Sequence, residues 1–518
     1  MYRHQDTKTP YFPEFESFAV PFEGKLDKSN RWVIKASLLP LTLIEEIYAK
    51  NFSENMGAPA YNGRIAFCAL YIKEELKLTD EEVVQQIREN PYLQYFLGYE
   101  RYSYEKPFDE SMLVHFRKRF SIQDLNTINI AIIENAKNKK RQNKNKKEED
   151  QKEGKSDNIE ENKNKKEEVN VIKNEGKMIV DSTCVPCDIK YPTDLDLLNE
   201  AREKAEMIID KLYEPSYGKK PRTYRKIGRK KYLIAIKRKK KDKKFLRKAI
   251  GEQLRFIKRD IRHIEKLVKA LGLSKLSKYE YKCLLVIQEV YRQQEEMYKS
   301  RSNKIDDRIV SITQPYIRPI VRGKAARNVE FGCKISVSCV NGFSYIDHLS
   351  WDNYNEGDIL RNQIELYKKR FGFYPKEILA DKIYRTKKNR ELCNELGIKL
   401  IGVPLGNKKL NEIYEKSRES ERNIIEGKFG ESKRRYSLGR IMTKLSNTTT
   451  TVISMVFIAM NLNKIIRNIY FVFIRFCLFL SNFRLFYVST FNQKYFFRKT
   501  YLKILKPYSQ ITSPVVKS

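Results

Sequence analysis

Met178-Ile179-Val180-Asp181-Ser182-Thr183-Cys184-Val185 decides how the rest of the chain is read. A short β-rich run starts at Met178, is interrupted by an acid, and lies between polar segments. This pattern predicts a central strand. An aspartate where the pattern calls for an apolar side chain is a local inconsistency of the kind found at functional positions. The ordinary alternative is an aspartate at a strand end facing water. Upstream, Lys137–Glu168 is almost entirely Lys, Asn, Glu, Asp and Gln, with Ile159 its only large apolar residue. Nothing there can build a core, so residues 137–176 are expected to be a charged, disordered or loosely helical linker and a domain boundary.

Downstream, Pro192-Thr193-Asp194 opens a helix whose stripe is Leu198, Ala201, Ala205, Ile208 and Leu212. Two further stripes, Leu246 to Val268 and Leu284 to Tyr298, are joined through Leu271-Gly272-Leu273-Ser274 and predict an antiparallel helical hairpin. A helical insertion over 195–300 therefore follows the first strand. It contains the most basic block of the chain, Lys219–Lys248, with 17 Lys and Arg against one acid, Asp242. A charge run is ordinarily a solvated face. This one, interleaved with Tyr224, Tyr232 and Phe245, favours sequence-independent contact with phosphates through Lys230, Lys231, Lys237 and Arg238.

The β pattern returns at Cys333–Val340, turns at Asn341-Gly342 as a type I′ hairpin, and runs back over Phe343–Trp351. A helix through Ile359, Ile364 and Tyr367 stops at Gly372. Glu377-Ile378-Leu379-Ala380-Asp381 is a second apolar strand ending on Asp; a helix over Asn389–Leu396, a strand over Ile398–Val403 and a last helix follow. In that helix Arg422, Glu426 and Lys433 stand at i, i+4 and i+11, within about 40° of one another around the axis. They form either a solvated salt-bridge ladder or a metal-binding carboxylate flanked by phosphate contacts.

Upstream of the linker, residues 1–30 carry Pro10, Pro13, Pro21 and Gly24 and read as an irregular arm. Residues 31–136 are helical in pattern, with Thr79-Asp80-Glu81-Glu82 a capping box and Asn90-Pro91 a stop. A helix-turn-helix and a packing or dimerising module both suit this α-helical domain. Residues 466–518 are an aromatic, basic tail. Within it, Ile469–Val488 is interrupted by Arg475 and Arg484, leaving too short an uncharged run to span a bilayer, and no membrane partner is expected.

Lys and Arg total 102 against 65 Asp and Glu, a net charge of +37, which suits a polyanionic partner, nucleic acid first. The start of the chain carries no secretory pattern. Its 8 cysteines are scattered, as reduced thiols in a cytosolic protein are, and Cys184-Val185-Pro186-Cys187 lacks a second pair and reads as structural. His115 and His348 lack metal-ligand spacing, and Trp351 reads as core.

Without the insertion, the element order is that of an RNase H-like fold: an α/β core with the first two acids on adjacent central strands and the third on a helix beside them. Three segments carry a closer resemblance: Val180-Asp181-Ser182-Thr183, Leu379-Ala380-Asp381-Lys382-Ile383-Tyr384-Arg385, and Arg422-x3-Glu426-x6-Lys433. With Tyr191–Leu195, Pro315–Lys324 and Leu76–Tyr99, they resemble the DDE-type transposases of bacterial insertion sequences over residues 30–465. The resemblance implies a catalytic domain over 177–465 in which Asp181, Asp381 and Glu426 hold two Mg²⁺ (or Mn²⁺) ions. Arg422 and Lys433, with Arg322 and Lys324 nearby in sequence, would contact DNA. It also implies cleavage at terminal inverted repeats, strand transfer into target double-stranded DNA, a homodimer or higher oligomer, and a cytoplasmic, nucleoid-associated location. Two departures stand out. Glu419 occupies a position where the family often has Tyr, and several relatives place their insertion between the fifth strand and the Glu helix. A nuclease of the same fold that does not join, and a non-catalytic DNA-binding derivative, remain open.

Overall fold

The computed structural model of the chain describes residues 24–53, 56–149, 173–240, 242–321, 329–402 and 412–471. Helices come first: α1 (Arg31–Ala36), α2 (Leu41–Ala49), α3 (Gly63–Leu76), α4 (Asp80–Glu89), α5 (Pro91–Leu97), α6 (Met112–Lys118) and α7 (Ile122–Glu149). Their ends follow local chemistry. Asn30, Asn62 and Asn90 accept from backbone N–H groups at the starts of α1, α3 and α5. Thr79 and Glu82 close the expected capping box on α4, and Gly98, left-handed at φ 96°, ends α5. α7 carries helix through residues 137–149, the front of the segment expected to be a linker; residues 150–172 of that segment lie outside the described residues.

The sheet is built from β1 (Lys177–Pro186), β2 (Arg318–Val321), β3 (Val329–Val340), β4 (Phe343–Ser350), β5 (Glu377–Leu379) and β6 (Lys399–Ile401). β1 lies inside it. β3 runs antiparallel on one side, and β5 and then β6 run parallel on the other. The far edge of β3 takes β4 along Lys334–Val340 and β2 along Val329–Gly332. Asn341 and Gly342, at φ 53° and 74°, make the tight turn from β3 to β4 that the Asn-Gly pair predicts.

Between β1 and β2 the chain forms α8 (Asp194–Leu212), α9 (Arg225–Lys237), α10 (Lys243–Leu271) and α11 (Lys278–Ser300). The stripes read from the sequence are the core of this insertion: Leu198, Ala201, Ala205 and Ile208 pack with Leu254, Ile257, Ile264 and Ile287. α12 (Leu360–Phe371) and α13 (Lys387–Glu395) cover one sheet face, with Leu360, Ile364, Tyr367 and Cys393 against Met178, Val180 and Ile378. α14 (Glu412–Arg435) and a helix over Ser446–Phe471, α15, complete the described chain. α15 is long and apolar enough to cross a membrane by length and composition, but its residues from Val452 to Asn461 are buried within the protein. Each described cysteine, Cys184 and Cys187 included, is buried and in the thiol form. Most of the tail expected over 466–518 lies outside the described residues.

Candidate active site

Strand alternation places the first acid. Met178 and Val180 are fully buried on the face covered by α12 and α13, so Ile179 and Asp181 face the other way, where α14 packs beside β1. The parallel ladder places the second. Ile179 pairs with Leu379, and each acid follows its member of that pair by two residues, so Asp181 and Asp381 emerge from adjacent strands at one level. Asp381 then caps the short turn Lys382–Tyr384, accepting from Lys382 N–H at 2.7 Å.

α14 brings the third. Ile425, Phe429 and Ser432 form its buried stripe. Its N-terminal half is clamped to the beginnings of two strands: Arg418 pairs with Glu377 at 2.9 Å, and Glu421 pairs with Lys177, the cross-strand neighbour of Glu377. On the adjacent stripe Arg422 Nη2 lies 3.3 Å from Glu426 Oε1. The salt bridge expected from the spacing is therefore present, with Glu426 half-exposed. An exposed i, i+4 pair of this kind stabilises a helix by about 0.5 kcal/mol or less and yields readily to a stronger ligand.

Asp181, Asp381, Glu426, Arg422 and Lys433 all line one cleft of about 930 Å³. Glu356 and Lys334 join them there, with Lys334 Nζ 2.9 Å from Glu356 Oε1. Sequence reasoning missed Glu356. It opens a single 3₁₀ turn (Glu356–Ile359) ahead of α12, too short to set a periodicity for it to break, and only the run Asn353-Tyr354-Asn355-Glu356 marks the place. Burial pushes the Asp181 carboxyl up to about 6, and the negative charges of Glu356 and Asp381 push the same way; the Ser182 N–H, at 2.8 Å, and Arg422 oppose them. Beneath the acids a chain of hydroxyls fixes the loops. Ser182 Oγ lies 2.6 Å from Ser336 Oγ and 3.1 Å from the buried Tyr384 hydroxyl, and Ser336 Oγ lies 2.8 Å from the Tyr354 hydroxyl. The segments carrying Asp381 and Glu356 are thereby tied to β1 and β3.

The donor chemistry suits a hard divalent cation: the carboxylates are all-oxygen ligands, and their mutual repulsion at Asp181 marks a place short of positive charge. Among the described residues no three acidic, His or Cys side chains already stand around a single point, and Glu426 is engaged by Arg422.

The basic block divides. Lys230 and Lys237 line a shallow concavity on α9 with Lys226 and Arg229. Lys231 is paired with Glu252 at 3.2 Å, and Arg238 lies over the Phe245 ring at 4.1 Å and near Asp242 at 3.8 Å. Arg322 and Lys324 lie outside the described residues.

Comparison with known proteins follows the same division of the chain. Residues 378–463 match the transposase DDE domain family, a span that includes Asp381 and Glu426. Residues 20–119 match a second family, described as a transposase domain (DUF772), which takes in α1–α6. An uncharacterized protein, ORF8 in the nfe locus of Rhizobium meliloti, is 36% identical over 101 residues, or 20% of this chain and 48% of that protein. The chain thus spans about half the length of that curated relative. Two separate stretches of this mixed α/β chain are thus similar to transposase domains. The two matches together support a DDE-type insertion-sequence transposase.

Proposed function

We propose that this chain is a transposase that cleaves DNA at the ends of its insertion sequence and joins the freed ends to target DNA, using an RNase H-like core. One observation carries the reading: three acids from two strands and a helix, with the Arg and Lys that flank the third, line a single cleft. The strand arrangement supports it as well, with antiparallel β3 and β4 on one side of β1 and parallel β5 and β6 on the other.

Asp181, Asp381 and Glu426 would hold two Mg²⁺ (or Mn²⁺) ions. Bound there, such ions supply activation of the attacking oxygen and neutralisation of charge building on the phosphorus. The chain's own part is positional. β1 and β5 hold two carboxylates at one level, and α14 presents the third with its cations. Arg422 and Lys433 grip phosphate oxygens on either side of the scissile bond. Water attack leaves a 3′-hydroxyl and a 5′-phosphate. Attack of that hydroxyl on a target phosphodiester breaks one P–O bond as it makes another, so a single cleft serves both reactions. The cation-rich surfaces, Lys226, Arg229, Lys230 and Lys237 on α9 among them, would hold flanking duplex, and two or more protomers would pair two ends near the nucleoid.

A strand-transfer assay with a pre-cut terminal repeat and Mg²⁺ tests this. Joined product is expected; cleavage without joining would make the protein a hydrolytic nuclease of the same fold. Asp181→Asn and Glu426→Gln should each lower cleavage at least 10²-fold while leaving DNA affinity within about threefold. Equal loss of binding and cleavage would return Glu426 to an ordinary surface salt bridge.

A further inference from the structure

A second groove adjoins the catalytic cleft, and Lys433 lines both. Its volume is about 950 Å³, well above the ~300 Å³ at which ligand sites begin. One wall is the α3–α4 junction; the other is the chain that follows α14. The acids in this groove are neutralised from within. Asp80 is held by Lys73 at 2.9 Å and by Arg117 through two contacts at 2.9 and 2.6 Å. Glu74 is buried, its carboxyl is pushed up by burial, and it is hydrogen-bonded by Ser437. Lys77 and Lys444 are exposed at the groove, and no carboxylate pairs with either among the described residues. Between these cations the lining is apolar: Leu78, Val114 and Val452, with Met442 63% and Leu445 43% exposed.

Cations with nothing to neutralise, set around exposed aliphatic side chains, match one chemistry well. Phosphates need the cations, and the faces of unpaired bases need apolar ground. A paired duplex hides its base faces and would leave Met442 and Leu445 unused. We propose that this groove holds the unpaired stretch of DNA adjoining the reacting phosphodiester, with its phosphates on Lys77, Lys433 and Lys444 and its bases against Met442 and Leu445. The proposal rests on reading the neighbouring cleft as the transposase active site; continuity through Lys433 gives the strand its direction.

Fluorescence anisotropy with the full chain tests it on two labelled DNAs: a blunt terminal-repeat duplex, and the same duplex with a short unpaired extension at the cleaved end. The wild type should bind the extended DNA more tightly. Combining Lys77→Glu with Lys444→Glu should weaken that complex about tenfold and flatten its salt dependence by roughly two phosphate contacts, with less than about threefold loss on the blunt duplex. Combining Met442→Ala with Leu445→Ala should erase the preference for the extension without changing the salt slope. Lys388→Glu, an exposed charge reversal on α13, is the control and should match the wild type on both DNAs. Equal losses on both DNAs, or none on either, would overturn the proposal. If the wild type binds neither DNA better than a scrambled duplex, the transposase reading itself fails, a different result from losing only the preference for the extension.

Discussion

Asp260 on α10 is fully buried, with Arg259 beside it, Glu206 and Arg202 facing it from α8, and Arg225 from α9. One carboxylate oxygen lies 3.4 Å from Arg259 Nη2; the other has no hydrogen-bond partner among the described residues. Burial pushes this carboxyl from 3.8 up to about 7. Between those values the folded chain keeps a proton that the unfolded chain has released, so stability falls as pH rises through that window. Asp260→Asn imitates the protonated form. Its melting temperature relative to wild type should therefore climb between pH 4 and pH 8, by at least about 1 kcal/mol or roughly 2–4 °C. A pH-independent offset would show that Asp260 stays ionised. At this scale the sequence was legible where a residue broke a pattern: Asp181 interrupts a strand, and Asp381 stands two residues past the end of another. Glu356, whose charge acts on Asp181, was not, because a single 3₁₀ turn is too short to set a pattern.

Among the elements, helices read from long apolar stripes were found with those stripes buried, since a 3.6-residue period repeated over several turns has only one way to bury itself. β2 escaped notice. Four residues with a proline in second place give almost no signal, and an edge position is where such a strand is tolerated. The helix cost of the glycines in α14 calls for a close approach to them, by the sheet or by DNA. A Cβ on Gly427 would meet nothing within 4 Å, and one on Gly430 would meet only the Arg434 side chain, so sheet packing is not the reason. Gly332 in β3 is the opposite case. A Cβ there would sit 1.9 Å from the Val185 carbonyl oxygen, backbone that cannot swing aside. Gly332→Ala should therefore cost roughly 2 kcal/mol or more, seen as a lower melting temperature; a neutral result would mean that β1 and β3 part easily at that end.

At the scale of residues 24–461, the helical region and the sheet are joined by buried polar contacts that no sequence pattern announces. Asn461 Nδ2 donates to Asn129 Oδ1 at 3.0 Å and to the Ser344 carbonyl at 2.8 Å, while its own oxygen accepts from Ser344 N–H at 2.9 Å. Thr451 Oγ1 donates to the carbonyls of Arg117 and Phe120. Ile133 of α7 belongs to the same apolar cluster as Met178 and Val180. The charged stretch from residue 137 onward advertises separate domains, yet the part of α7 ahead of it packs into the sheet's own core. Calorimetry should accordingly show the α1–α7 region and the sheet melting in one transition. Asn461→Leu should lower its midpoint by an amount equivalent to about 2–3 kcal/mol, because it strands buried partners on both sides. Two transitions, with only one of them moved, would mean the regions unfold independently.

The site where the insertion leaves the sheet has one more consequence. β1 ends at Pro186, paired with Gly332, and Gly332 is paired in turn with Arg318, where β2 begins. Departure and return are thus two strands apart, roughly 10 Å, a gap that about four extended residues can bridge. α8–α11 are therefore a self-contained excursion: a link of a few residues from β1 to β2 could stand in their place while the strands that lead to Asp181 and Asp381 keep their register.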